Sequence, residues 1–262
     1  MSNRVFTDMI GNEVAIGFPP VRIISLVPSQ TELLYDLGLG VEVVGITKFC
    51  VHPNEWFRNK KRVGGTKTLH LDIIRSLQPD LIIANKEENS KEQVEELAAE
   101  FPVWTSDIQC LETALAMITQ VGQIVDRGTQ AEALVNEIRH GFSNLAAAAK
   151  PTRVAYFIWR NPWMSVGGDT FISDMIEKIG WINVLADQKR YPEINPDSLK
   201  GKDIDLVLLS SEPYPFKDIH IAEIKAILPG VEVMLVDGEM FSWYGSRMKE
   251  ALDYFKILTE SK

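Results

Sequence analysis

Large rings stand beside polar and charged side chains in several short stretches that separate apolar runs. WRNPWMSVGG carries Trp159, Arg160, Asn161, Pro162 and Trp163, and DGEMFSWYGSR carries Glu239, Phe241, Trp243 and Tyr244. KFCVHPNEW supplies Phe49, His52 and Trp56, VGGTKT supplies Thr66 and Lys67, and KRYPEIN supplies Tyr191. Ser29 and Gln30 follow the first apolar run, RIISLVP. A single ring of this sort is more often core than contact. Several on loops, which run over the surface, argue for a concave site built from flat contacts plus a few polar anchors. Ring faces suit a large planar or chelated ligand.

Catalytic chemistry finds less support. No GxSxG, HExxH or GxGxxG occurs, and GGTKT lacks the earlier glycine of a phosphate-binding loop. His52, His70, His140 and His220 are scattered, so no metal site is expected from them. Glu87 and Glu88 in KEENSKEQVEEL could pair as acid and base, but they read better as the solvated acidic start of a helix. Cys50 and Cys110 show no CxxC spacing, and a single disulfide has no support.

The elements that position these residues alternate. RIISLVP (22–28), VEVVGIT (41–47), PDLIIAN (79–85) and FPVWTSD (101–107) read as strands, with helices at SQTELLYDLGL, HLDIIRSLQ (70–78) and SKEQVEELAAE (90–100). Such alternation predicts a parallel α/β sheet. A second series begins at Arg153: RVAYFIW mirrors RIISLVP, TFISDMIEKIG (170–180) mirrors TELLYDLG, IDLVLLS (204–210) mirrors PDLIIAN, and VEVMLVDGE (231–239) mirrors FPVWTSD. RMKEALDYFKIL reads as a closing helix. Between the series lies a stretch with helical periodicity and no proline, in which Gly128 is the obvious break. From Thr129 to Ala149 it predicts one uninterrupted helix of roughly 30 Å at 1.5 Å per residue. The expected organisation is an α/β lobe over 1–125, a connecting helix over 126–150 and a second, similar lobe over 151–262, with a ligand cleft between lobes. In parallel sheets, ligands sit beyond the carboxyl ends of the strands, where the aromatic stretches fall.

With 36 acidic residues against 27 basic ones, the net charge of -9 offers no footprint for nucleic acid. MSNRVFTDMIGNEV has no secretory-leader pattern, and no apolar run approaches the roughly 20 residues of a membrane span.

RIISLVPSQTELLYDLGL, VGITKFCVHP, VGGTKTLHLDIIRSLQPDLIIA and a long helix before RVAYF resemble the solute-binding proteins of ABC importers with a single helical backbone. Within that family the chain is similar to the cobalamin-binding branch, with siderophore and haem binders as cousins. The resemblance implies a monomeric, non-enzymatic binding protein without a resident cofactor, working in the periplasm or at the cell surface with a membrane permease. It also implies a ligand touched by Phe49, His52, Thr66, Lys67 and Asn85 on one side. Trp159, Arg160, Asn161, Pro162, Trp163, Tyr191, Glu239, Phe241, Trp243 and Tyr244 would form the other wall. Glu88 and Glu212 are the carboxylates it would present to permease arginines. His52 and Asn85 depart from the branch, which often has aromatics there.

Two other readings follow from the same residues. Arg160, Lys67 and Arg190 could face an anionic ferric siderophore or haem, and a cytoplasmic enzyme of corrinoid or chelate metabolism would place His52 or Glu239 at a reactive bond. A third possibility turns Phe241, Trp243 and Tyr244 inward.

Overall fold

The computed structural model describes residues 2–145 and 150–260. The chain divides into two compact units. The first comprises 1–108, 112–139 and 244–247; the second comprises 109–111, 140–243 and 248–262.

The first unit opens with an antiparallel hairpin of β1 (Ser2–Thr7) and β2 (Glu13–Phe18). Then come β3 (Ile23–Ser25), α1 (Pro28–Asp36), β4 (Val43–Ile46), α2 (Asn54–Asn59) and β5 (Lys61–Arg62). They are followed by α3 (Leu71–Leu77), β6 (Leu81–Asn85), α4 (Lys91–Ala98), β7 (Val103–Ser106) and α5 (Leu111–Ile124). Its sheet has the order β5-β4-β3-β6-β7, every pair parallel. β3 and β6 are buried along their whole length, as strands covered on both faces must be, which is why they read as unbroken apolar runs. The edge strand β7 is buried too. Met9 donates its backbone N–H to Thr105 O at 3.0 Å and the Trp104 indole donates to Thr7 O at 3.4 Å, so the hairpin shields that edge.

α1 begins at Pro28, one residue before the helix expected at SQTELLYDLGL. Proline suits the first helical position because its φ is preset and its missing N–H would have no partner there. The connecting helix is shorter than expected: α6 spans Gly128–Ser143, 16 residues or about 24 Å at 1.5 Å per residue. It is separated from α5 where Asp126 adopts a left-handed φ of 57°. It stops where the Asn144 side chain donates back to His140 O at 2.9 Å. Ala149 lies outside the described residues.

The second unit contains β8 (Arg153–Trp159), β9 (Met164–Ser165), α7 (Phe171–Lys178), β10 (Ile182–Asn183) and a 3-10 turn at Pro196–Leu199. β11 (Leu206–Ser210), α8 (Asp218–Ile227), β12 (Glu232–Val236), α9 (Gly238–Ser242) and α10 (Met248–Glu260) complete it. Its parallel order β10-β8-β11-β12 repeats the β4-β3-β6-β7 order of the first sheet, and β9 adds antiparallel to β8. The strand correspondences expected from sequence therefore hold, and the fold is two α/β units with parallel sheets. Ala155, Phe157, Val207 and Leu209 centre the second core. α10 closes it with Met248, Ala251, Leu252, Phe255 and Leu258, an apolar stripe of helical period.

Candidate ligand-binding surfaces

In each sheet the chain leaves the two central strands in opposite directions, β3 and β6 in the first unit and β8 and β11 in the second. Such switch points open a crevice at the strands' carboxyl ends.

In the first unit that end is occupied by the protein's own polar groups. Asn85 is buried; its Nδ2 donates to Ser106 Oγ at 3.0 Å, and its Oδ1 accepts the N–H groups of Glu87 and Glu88 at 2.8 and 3.0 Å. Asn89, also buried, accepts from Asn85 N and donates to the carbonyls of Leu26 and Thr66. The Lys67 ammonium donates to Glu87 O at 2.5 Å and Asn89 O at 3.2 Å. Asn85 and Lys67, both expected as ligand contacts, hold the loop after β6: Asn85 from within, where buried backbone groups need partners, and Lys67 from the surface. Trp56 sits in α2, buried against Tyr35 with ring centroids 5.4 Å apart. Phe49 remains 50% exposed, and His52 and Thr66 are half-buried.

Three further expectations change. The stretch read as a loop contains α9, capped by Asp237 Oδ1, which accepts from Glu239 N at 3.0 Å. Phe241 is fully buried, with ring centroids 5.2 Å from Tyr156 and 4.9 Å from Phe255, so it belongs to the second unit's core. Trp243 is buried and donates its indole N–H to Glu212 Oε1 at 2.8 Å. Tyr244 is buried in the first unit and donates its hydroxyl to Glu88 Oε1 at 2.6 Å. Burial and the neighbouring Glu88 carboxylate push the Tyr244 phenol well up, which keeps it protonated as a donor. These three rings offer no open face.

The same bonds revise Glu88 and Glu212. Neither is a free rim carboxylate: Glu88 holds Tyr244, while Glu212 Oε1 accepts from Ser242 Oγ at 2.7 Å as well as from Trp243. Burial raises the Glu212 pKa, with Glu239 and Asp237 adding to the rise and the two hydrogen bonds opposing it. Glu239 itself is half-buried.

The second unit carries a connected set of rings at the end of β8, exposed at Trp159, half-buried at Trp163 and Tyr214, and buried at Phe216. Trp159 is 39% exposed and meets Tyr214 edge-on at 5.7 Å. Tyr214 meets Phe216 at 4.8 Å, and Phe216 stacks on Trp163 at 5.6 Å and 14°. Trp163 in turn abuts Phe157 at 5.2 Å. His220 Nδ1 accepts from Lys217 N at 2.9 Å, which leaves Nε2 to donate to the Tyr214 hydroxyl at 3.2 Å. Arg160 lies beside the rings, its guanidinium 5.6 Å from the Trp163 centroid, and is gripped by Glu223 through two 2.8 Å hydrogen bonds. Asn161 and Pro162 are exposed at the turn, Asn161 with a left-handed φ of 66°, and Tyr191 is half-buried.

Sequence reasoning found Trp159 and Trp163 but missed Tyr214, Phe216 and His220. The signal was present in SEPYPFKDIH (211–220), where aromatics alternate with prolines directly after β11, a position the strand-end rule covers. Among the described residues no group of His, Cys, Asp and Glu is arranged to hold a metal ion. Neither Cys50 nor Cys110 is in a disulfide.

A profile described as periplasmic binding protein matches residues 23–228, from β3 in the first sheet to α8 after β11 of the second. The chain belongs to the periplasmic binding protein family. Membership makes it a solute-binding component of ABC import. One relative in this family, the uncharacterized ABC transporter substrate-binding lipoprotein YvrC of Bacillus subtilis, is 27% identical over 212 residues, covering 77% of this chain and 67% of that one. A vitamin B12-binding protein of Yersinia pestis is 25% identical over 194 residues, covering 72% and 69%. The crystal structure of a possible iron-binding (periplasmic solute-binding) protein from Staphylococcus epidermidis superposes with a TM-score of 0.78 at 25% identity, covering 93% of this chain and all of that one. Among the described residues no helix is long and apolar enough to cross a membrane.

Proposed function

We propose that this periplasmic binding protein captures cobalamin or a related corrinoid and delivers it to an ABC permease, acting by binding and not by catalysis, in the periplasm or at the cell surface. The observation that carries the reading is the aromatic platform in which the exposed Trp159 meets the half-buried Tyr214 edge-on, with half-buried Trp163 close by. The similarity to a vitamin B12-binding protein supports the same ligand class. Burying a few hundred Å² of apolar surface at about 25 cal/mol per Å² supplies several kcal/mol before the costs of immobilisation. Rings already held edge to face keep those costs low.

Titration of the purified protein with cyanocobalamin, followed by calorimetry and absorbance, tests the reading. Binding should be saturable, and Trp159→Ala should weaken it roughly tenfold while changing stability by less than about 1 kcal/mol, since the ring is only partly buried. Absence of binding at millimolar cyanocobalamin refutes the corrinoid assignment. A second reading, a ferric siderophore or haem, is favoured by the likeness to the possible iron-binding protein from S. epidermidis. Competition among haemin, a ferric hydroxamate and cyanocobalamin separates the two.

A further inference from the structure

The cation beside the aromatic platform is already matched by an anion of the same unit. Arg160 directs Nε to Glu223 Oε2 and Nη2 to Glu223 Oε1, both at 2.8 Å, the two-pronged geometry in which a guanidinium binds a carboxylate best. Both side chains are about one-third exposed, 27% for Arg160 and 32% for Glu223, so the pair is placed where an incoming ligand would meet it. Arg160 continues directly from Trp159, and its guanidinium lies 5.6 Å from the Trp163 ring. The other basic group within the ring set, His220, has its Nδ1 occupied by Lys217 N and its Nε2 turned to Tyr214. The platform therefore presents partly exposed rings beside a two-pronged ion pair.

We propose that Glu223 is a specificity-determining residue that occupies the Arg160 fork and so selects ligands whose edge is uncharged, such as amide-edged macrocycles, over ligands edged with carboxylates. The proposal rests on the platform being the ligand surface. An anionic ligand must displace Glu223 from Arg160, leaving one carboxylate without its partner, or approach with that carboxylate in place and meet its repulsion. Either route penalises the charged ligand and leaves the neutral one unaffected, which is discrimination through a repulsive element rather than an added attraction. Removing the charge while keeping the shape, as in Glu223→Gln, frees the guanidinium to receive a ligand carboxylate.

The test uses one scaffold in two charge states: cyanocobalamin and its monocarboxylate derivatives, in which one peripheral amide is hydrolysed. For the intact chain, cyanocobalamin should bind more tightly than the monocarboxylates. In Glu223→Gln the ratio of the two dissociation constants should shift toward the acid by about tenfold, and the shift should shrink as salt is raised, since one added partner charge at a partly exposed site has an effect of that size. The double variant Glu223→Gln/Arg160→Gln should lose the shift. Circular dichroism and melting curves establish that each variant is folded. An unchanged ratio in folded Glu223→Gln overturns the proposal, as does a shift that survives in the double variant. If the intact chain binds neither corrinoid, the corrinoid reading fails by itself and the filter is read with haemin: tighter haemin binding by Glu223→Gln supports it, and unchanged haemin binding overturns it. Failure of every probe with both proteins overturns the platform and the filter together.

Discussion

Phe241→Ala separates a core ring from a ligand-facing one. The ring has no solvent exposure and packs against Tyr156, Phe255 and Tyr254, with centroids 5.2, 4.9 and 6.3 Å away. An aromatic side chain buries roughly 150–250 Å², so at about 25 cal/mol per Å² its removal forfeits about 4–6 kcal/mol, less the part the remaining methyl retains. Measured Phe→Ala changes in cores fall at about 3–5 kcal/mol, which includes the cavity left behind. Urea titration followed by circular dichroism should therefore show a loss of about 4 kcal/mol with an unchanged slope, as expected when stability falls without a change in the surface exposed on unfolding. Cyanocobalamin affinity, measured well below the denaturation midpoint, should stay within about twofold, since the ring has no open face to offer. Phe241→Leu should cost far less, because it refills most of the volume. A variant with undiminished stability and affinity reduced tenfold or more would refute the reasoning, since the ring would then face a ligand and not Tyr156.

Glu212→Gln tests the carboxylate that Ser242 and Trp243 share. Because burial raises its pKa in the folded chain above the unfolded value, Glu212 contributes stability at acid pH that is lost as pH rises through the folded pKa. Melting temperatures from pH 4 to 8 should show the wild type's advantage over Glu212→Gln largest at the acid end and narrowing upward; a gap that widens with pH would contradict the direction. Gly238→Ala would place a methyl 2.3 Å from Ser210 Oγ and 2.7 Å from Glu212 Cγ. It should cost about 1–3 kcal/mol of stability by thermal denaturation, and a neutral outcome would show that α9 can shift away from the end of β11.

Much of the architecture was legible because buried parallel strands are short continuous apolar runs. PDLIIAN and IDLVLLS each contain a strand buried at every position, and their repetition at the same place in each series carried the shared sheet order. The amino-terminal hairpin was not legible in that way. SNRVFT and EVAIGF are joined by five residues, not by a two-residue turn, and the Asp8 side chain organises that connection by accepting from Ile10 N and Asn12 N at 3.1 and 2.7 Å. The candidate surface was half legible. Position after a strand located Trp159 and Trp163. The same reasoning misplaced Phe241, Trp243 and Tyr244, because a ring on a connection can face either way and its partner decides. Those partners lie far off in the chain: Glu212 is 31 residues from Trp243, and Glu88 is 156 from Tyr244. No local pattern encodes a bond of that span.

The four residues 244–247 belong to the first unit although everything around them belongs to the second. Through them Tyr244 meets Glu88, and Arg247, only 7% exposed, meets Glu32 with Nε 2.8 Å from Oε2. As the polypeptide emerges from the ribosome, the amino-terminal unit must wait until residues 109–243 have been made before Tyr244 and Arg247 can reach Glu88 and Glu32. A fragment cut ahead of residue 244 would take the Tyr244 donor from Glu88 and the Arg247 donor from Glu32. Separate expression of the first unit should yield a chain that matures only when a peptide carrying this late segment is added back.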